Sequence, residues 1–131
     1  MKDRFGNLAA AEALYQRIVQ HEPNCAEAWH FLGVLAYQQG QYADAERYIL
    51  RSIELKPNIV TFLTNLGLVY QAAEKFNLAE AMYRRAIDLK ANFADAYFGL
   101  GTALSSQRNY PAAIIALRQA IALSPHDPLA Y

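Results

Sequence analysis

Residues 26–59 read AEAWHFLGVLAYQQGQYADAERYILRSIELKPNI, and the pattern of this stretch begins again at residues 60 and 94. Each unit carries a large apolar residue, a Leu-Gly pair three and four residues later, and an alanine sixteen residues later. The first of these columns holds Trp29, Leu63 and Tyr97, and the last holds Ala45, Ala79 and Ala113. Several columns that agree at one period of 34 residues indicate a repeated structural unit.

Each unit is predicted to form a pair of helices. In the first half of the first unit, Trp29, Leu32 and Ala36 recur at helical spacing, and Ala45 and Ile49 do so in the second half. Extending this pattern along the chain predicts seven helices, near 7–21, 26–39, 42–55, 60–73, 76–89, 94–107 and 110–123.

Glycines carry two further predictions. Gly33, Gly67 and Gly101 each cost about 1 kcal/mol relative to alanine inside a helix, so their recurrence predicts a close approach of helices, with the alanine column facing them. Gly40 lies at the turn between two halves and suits a left-handed helix cap. Glu74 and Arg108 fill that column later, so those turns require another geometry or a small strain.

The 34-residue period with W-x₂-L-G, then an alanine, an aromatic, an alanine and a proline, resembles the tetratricopeptide repeat family over essentially the whole chain. The resemblance implies an all-α fold, a right-handed superhelical array (α-solenoid) of antiparallel helix pairs. Ser52 and Ala91 depart from the family's small apolar residue and closing proline, and Ala36 and Leu104 from its usual tyrosine. None of these departures should break a helix.

The register divides the chain into parts of one predicted domain, 1–131. These parts are the second half of a repeat (1–25), three full repeats (26–59, 60–93 and 94–127) and the start of another (128–131). Met1–Phe5 match the last turn of a first helix. Since isolated arrays need polar capping helices, we expect a piece of a longer repeat protein, with self-association through its uncapped repeat ends.

Composition excludes several function classes. Twelve basic residues against twelve acidic ones leave a net charge of 0, which argues against nucleic-acid binding. No apolar run approaches the roughly 18 residues of a membrane span, so we expect no membrane insertion. The single cysteine, Cys25, cannot form an internal disulfide, so a cytoplasmic location is the default and the compartment is otherwise unknown.

No motif indicates catalysis. His21, Cys25 and His30 match no standard zinc spacing, and Ser105 and Ser106 have no histidine at helical spacing. The six glycines are dispersed, so no phosphate-binding loop is present. We therefore expect a protein that is not an enzyme and uses no metal and no cofactor.

In the resembled family the first helices line a concave groove. The positions that should face it are Glu27, His30, Phe31, Val34, Tyr37 and Gln38 in the first unit, Thr61, Thr64, Asn65, Leu68 and Gln71 in the second, and Asp95, Phe98, Thr102, Ser105 and Ser106 in the third. This set contains two acidic residues and no lysine or arginine, unlike an ordinary solvated face.

These positions argue against the family's basic clamp for acidic chaperone tails, because only Asn65 fits it and the corresponding slots hold Phe31 and Gly99. The resemblance to O-GlcNAc transferases is general, since Asn65 alone is not their asparagine ladder. The expected partner is a protein or peptide segment that is not strongly acidic, bound by amide hydrogen bonds and aromatic contacts on a scaffold. The alternative is a substrate-recruiting or regulatory region of a larger enzyme, such as a glycosyltransferase, which a catalytic domain encoded after Tyr131 would support.

Overall fold

The computed structural model describes residues 4–124, with side chains from Asn7 onward, and all regular secondary structure in this range is α-helical. The helices are α1 (Arg4–His21), α2 (Ala26–Gln38), α3 (Tyr42–Leu55), α4 (Val60–Ala72), α5 (Phe76–Leu89), α6 (Ala94–Ser106) and α7 (Tyr110–Leu123). The predicted helices are confirmed, and all except α1 agree with their predicted bounds within one residue. The predicted start of a further repeat at 128–131 lies outside the described residues.

Helix α1 corrects one expectation. Met1–Phe5 are predicted to close a preceding helix, and residues 1–3 lie outside the described range. Arg4 and Phe5, however, belong to α1, which continues through Gly6 without a turn. A glycine costs only about 1 kcal/mol inside a helix, and propagation of an existing helix adds one hydrogen bond per residue. The repeat register alone therefore placed the helix start too late.

The packing divides the chain into two compact units, Met1–Phe62 and Leu63–Tyr131. In the first unit, α2 packs against α1 and α3 around a core of Val19, Ala28 and Leu32. In the second unit, α6 packs against α5 and α7. The division into a single domain with three full repeats stays a prediction.

The glycine column confirms the predicted close approach between paired helices. A Cβ atom at Gly33 would overlap the side chain of Ile49, and one at Gly101 would lie 2.7 Å from Leu117 Cδ2. The facing alanines are also confirmed, since these Cβ positions lie 3.2 Å from the Ala45 carbonyl oxygen and 3.3 Å from that of Ala113. In each pair, the second helix fills the space that a side chain would need.

Tyr83 on α5 takes part in two such approaches. A Cβ at Gly67 on α4 would lie 2.6 Å from Tyr83 Cε1, and a Cβ at Gly99 on α6 would overlap the same ring. The ring therefore lies against two glycines of two different helices, and Tyr83 is only 2% exposed. Gly99 lies outside the predicted glycine column, so its packing role comes from the structure alone.

The turns between paired helices share one backbone conformation. Gly40 has a φ of 76°, and the non-glycine residues in its column, Glu74 and Arg108, have φ values of 61° and 64°. The later turns therefore keep the left-handed geometry and carry its steric cost.

The terminal helices α1 and α7, which are predicted to expose apolar side chains at the uncapped repeat ends, do so only in part. Leu14 on α1 and Ile114 and Ile121 on α7 are exposed, whereas Ala113 is buried. Self-association through these surfaces stays a prediction. Within residues 4–124, none of the helices is both long and apolar enough to cross a lipid bilayer.

Gly99→Ala should lower the free energy of unfolding by about 1–3 kcal/mol, because the added methyl group overlaps a rigid buried ring that cannot retreat from Gly67. Chemical denaturation measures this effect. Ser105→Ala, at an exposed site on the same helix, should change stability by less than about 0.5 kcal/mol. Equal stability of Gly99→Ala and the wild type would contradict the packing role of Gly99.

Glu74→Gly and Arg108→Gly should each raise the free energy of unfolding by about 0.5–1 kcal/mol, because glycine removes the steric cost of the left-handed conformation. Gly40→Ala should act in the opposite direction, and its Cβ would meet open space, so the cost is purely conformational. Thermal melts of the three variants check the signs. A destabilised Glu74→Gly variant would show that its side chain outweighs the backbone strain.

Candidate peptide-binding surface

In the first unit, four aromatic rings form a continuous row from α1 across α2 to the start of α4. Tyr15 stacks on Phe31 with ring centroids 5.4 Å apart and an interplanar angle of 19°. Phe31 contacts His30 at 5.5 Å, and His30 stacks on Phe62 at 4.5 Å. Phe31 is 44% exposed, whereas His30 and Phe62 are buried. Tyr15 and the buried ring of His30 therefore support Phe31 at the surface, and Phe62 in turn stacks on His30.

The predicted groove residues differ in their exposure. The exposed ones are Glu27, Phe31, Gln38, Thr61, Leu68, Asp95, Phe98, Ser105 and Ser106, the half-buried ones are Val34, Tyr37, Asn65, Gln71 and Thr102, and the buried ones are His30 and Thr64. His30 and Thr64 therefore offer little accessible surface, and their assignment to a groove stays a prediction. Both lie in one repeat column, and for His30 the covering group is the ring of Phe62.

Burial also sets the protonation state of His30. With the side chain only 7% exposed, desolvation lowers the pKa of His30 below its usual value, and the nearby Glu27 carboxylate opposes this only in part. The neutral imidazole therefore acts as a flat, mainly apolar ring between Phe31 and Phe62. It supports Phe31 rather than forming part of the exposed surface.

Polar side chains at the edges of the first unit are engaged within the unit. Glu27 in the first turn of α2 pairs with Lys56, which follows α3, at 2.6 Å, and this hydrogen bond lowers the pKa of Glu27. Tyr37 packs against Tyr42 with ring centroids 5.9 Å apart. The acidic charge at this edge is thus balanced by a lysine that the sequence prediction did not include.

In the second unit, the face of α4 and α6 combines apolar and amide groups. Leu68 is 44% exposed. Gln71 Nε2 donates to Ser106 Oγ at 2.8 Å, which links the ends of α4 and α6. Thr102 Oγ1 donates to the Phe98 carbonyl oxygen at 3.0 Å, so its hydroxyl oxygen still offers an acceptor.

Sequence reasoning missed Tyr15, which is not among the predicted groove positions. Its contact with Phe31 depends on how α1 lies against α2, and no short-range pattern predicts that. As for metal ligands, no group of three His, Cys, Asp or Glu side chains comes together in the part of the chain with described side chains.

The stability of the first unit should depend on pH through His30. Because the folded pKa lies below that of the unfolded chain, about 6.5, the contribution of neutral His30 is complete above pH 6.5 and is lost as the pH falls further. The free energy of unfolding should drop by no more than about 1.4 kcal/mol per pH unit in this window. His30→Phe should remove this dependence and exposed His21→Gln should leave it, as denaturation at pH 7.5 and 5.5 measures. A slope that is unchanged in His30→Phe would contradict this assignment.

Comparisons with known proteins agree with this architecture. The family profile described as "Tetratricopeptide repeat" matches residues 3–58 and 64–128. The crystal structure of MamA is similar with a TM-score of 0.88 and 25% identity, over 100% of this chain and 80% of that chain. The Arabidopsis OM64 TPR domain is similar with a TM-score of 0.76 and 25% identity, over 80% of this chain and 87% of that chain.

A third similar structure is the first TPR of Spaghetti (RPAP3), which is bound to the HSP90 peptide SRMEEVD. Its TM-score is 0.76 at 23% identity, over 80% of this chain and 83% of that chain. A comparison with curated proteins finds no match. Because the family profile covers most of the sequence and the solved structures share the all-α helical-repeat fold, this chain belongs to the tetratricopeptide repeat family.

Proposed function

We propose that this protein is a non-catalytic protein-interaction scaffold that binds a peptide or protein segment in the concave groove formed, in this family, by the first helices, here α2, α4 and α6. Membership of the family supports an interaction role. The structural neighbour RPAP3, bound to an HSP90 peptide, is an example of a TPR with a peptide ligand. The observation that carries the proposal for this chain is the exposed and rigidly supported ring of Phe31.

Phe31 has the properties of a binding anchor. Tyr15 stacks on the Phe31 ring, and His30 also contacts this ring. The Phe31 side chain therefore loses little conformational freedom when a partner covers it. Large aromatic side chains contribute strongly to binding because they bury much apolar area with few rotatable bonds. A ring that is 44% exposed and already fixed by its neighbours therefore favours a ligand that covers it.

The charges of this surface favour a ligand that is not strongly acidic. The predicted set contains no lysine or arginine, and a carboxylate-rich segment needs such cations when it is desolvated. Lys56 lies beside the surface, but Glu27 already pairs with it. Exposed Gln38 and half-buried Gln71 offer amide groups that can hydrogen-bond to a peptide backbone.

Selection from a random peptide library displayed on phage tests this proposal. Peptides enriched on the wild-type protein should be apolar or neutral, and Phe31→Ala should weaken the binding of the selected peptide at least about tenfold, as for an interface hot spot. Leu68→Ala should weaken it less. Affinities can be measured by fluorescence anisotropy with the synthetic peptide.

Leu78→Ala is the matched control, because Leu78 is an exposed leucine on a second helix, α5, and its truncation should leave the affinity unchanged. The acidic peptide SRMEEVD should bind at least about tenfold more weakly than the selected peptide. Its carboxylates would need lysine or arginine partners when they are desolvated, and the predicted groove positions contain none. Equal binding to the wild type and Phe31→Ala would overturn the assignment of Phe31. Tighter binding of SRMEEVD would overturn the expected ligand class.

A further inference from the structure

The second unit contains a cleft that the proposed groove does not use. The cleft lies between α5 and α7, with α6 as its floor, and has a volume of about 470 Å³. Tyr97, Leu100 and Leu104 of α6 line it, with Arg84 and Ala116 on the flanking helices. Helical spacing places Phe98 and Ser105 on a different face of α6 from these floor residues, about a third of a turn away. A ligand in this cleft would therefore leave the first-helix surface open.

The first unit has the same arrangement, but there a tyrosine fills the space. Two repeats before Ala116 stands Tyr48, and two repeats before Arg84 stands Gln16. Gln16 Nε2 on α1 donates to the Tyr48 hydroxyl on α3 at 3.0 Å. The Tyr48 ring packs on Trp29, with centroids 6.0 Å apart, and against the core of the unit. A phenol thus joins the two second helices across α2.

In the second unit, α6 has an aromatic residue and a leucine at the matching positions, but α7 has no tyrosine at the position of Tyr48. Tyr97 stands at the position of Trp29, and Leu100 stands at that of Leu32. Ala116 replaces the tyrosine with a methyl group, and a cleft with a narrow, nearly buried floor of Leu100, Leu104 and Ala116 lies at this position. The apolar side chain of Ile115, which is 70% exposed, forms part of its rim. The cleft volume lies within the range of about 300–1,000 Å³ that is usual for ligand sites.

Arg84 supplies the polar group of the cleft. Its Nε donates to Glu80 Oε2 at 2.9 Å, and Gln107 Nε2 donates to the other Glu80 oxygen at 3.0 Å, so the base of the guanidinium is held in place. The two terminal nitrogens of a guanidinium remain as donors when Nε is engaged. Arg84 therefore offers an acceptor atom the kind of hydrogen bond that Gln16 offers to Tyr48.

We infer that this cleft is a docking site for a tyrosine side chain of a partner protein. The ring lies between α5 and α7 over Tyr97 and Leu100, and the phenolic oxygen accepts a hydrogen bond from Arg84. The first unit indicates the occupant by analogy, because Tyr48 lies at the position equivalent to Ala116, accepts a hydrogen bond from Gln16 and packs on Trp29, whose positions Arg84 and Tyr97 take in the second unit. This site is separate from the proposed groove, so the chain can hold two protein segments at once.

Titration of the ¹⁵N-labelled protein with N-acetyl-tyrosine amide tests the inference without any variant. Saturable shifts of backbone amides are expected at Leu100, Leu104, Ile115 and Ala116. N-acetyl-phenylalanine amide should bind about fivefold more weakly, since it lacks the hydroxyl that makes one net hydrogen bond. The absence of saturable shifts at these residues would overturn the docking site, and equal binding of the two amides would overturn its assignment to tyrosine.

Variants then separate the cleft from other surfaces. Ala116→Tyr should place a tyrosine ring over the cleft from within the chain and abolish these shifts. Tyr48→Ala should open the equivalent cleft of the first unit and create a second site for N-acetyl-tyrosine amide. Arg84→Leu should remove the preference for tyrosine over phenylalanine. A folded Ala116→Tyr protein that binds N-acetyl-tyrosine amide as the wild type does would overturn the inference.

Phe31→Ala serves as the control that distinguishes the two proposals. It should leave the amide titration unchanged, because Phe31 lies in the first unit and the cleft lies in the second. Loss of peptide binding without loss of these shifts would separate the groove from the cleft. Shifts that disappear in Phe31→Ala would overturn the assignment of the probe to this cleft.

Discussion

The contact between a glycine on a first helix and a large side chain on the paired second helix determines how closely the helices can approach. Gly33 faces Ile49, Gly67 faces Tyr83, and Gly101 faces Leu117, and all three pairs occupy the same two repeat columns. Any side chain at the glycine would need the volume that its partner already fills. Tyr83 adds a second constraint, because its ring also lies against Gly99 and so relates α5 to both α4 and α6. These contacts therefore limit the separation between each first helix and its paired second helix.

The glycine contacts recur in all three repeats, whereas residues in other repeat columns differ from one repeat to the next in exposure and in contacts. The column of Phe31 continues as Asn65 and Gly99. Phe31 has an exposed aromatic ring and Asn65 a half-buried amide. Gly99 has no side chain, and the Tyr83 ring occupies the space that one would need. One repeat column thus holds an exposed aromatic ring in one repeat and a packing glycine in another. This divergence explains why the candidate surface cannot be copied from one repeat to the next.

The column of Tyr48 shows the same divergence on the second helices. In the first unit a tyrosine closes the space between α1 and α3, and in the second unit Ala116 leaves the matching space between α5 and α7 open. The flanking polar residue changes from Gln16 to Arg84 but remains a hydrogen-bond donor. Repetition within one chain therefore provides an internal reference, and the inferred tyrosine-docking site rests on this comparison of Tyr48 with Ala116.

The sequence by itself determined the bounds of α2 to α7 within one residue, the helix pairing and the close approach at the glycine column, because these depend on spacings within one repeat that recur along the chain. It could not determine the burial of His30 under Phe62, the stacking of Tyr15 on Phe31 or the second role of Gly99. It also placed the start of α1 too late, since the register carried a turn into a segment where the helix continues. Only the tertiary structure decided these features, because each depends on side chains from another helix, and helical periodicity specifies the face of a residue but not the group that covers it.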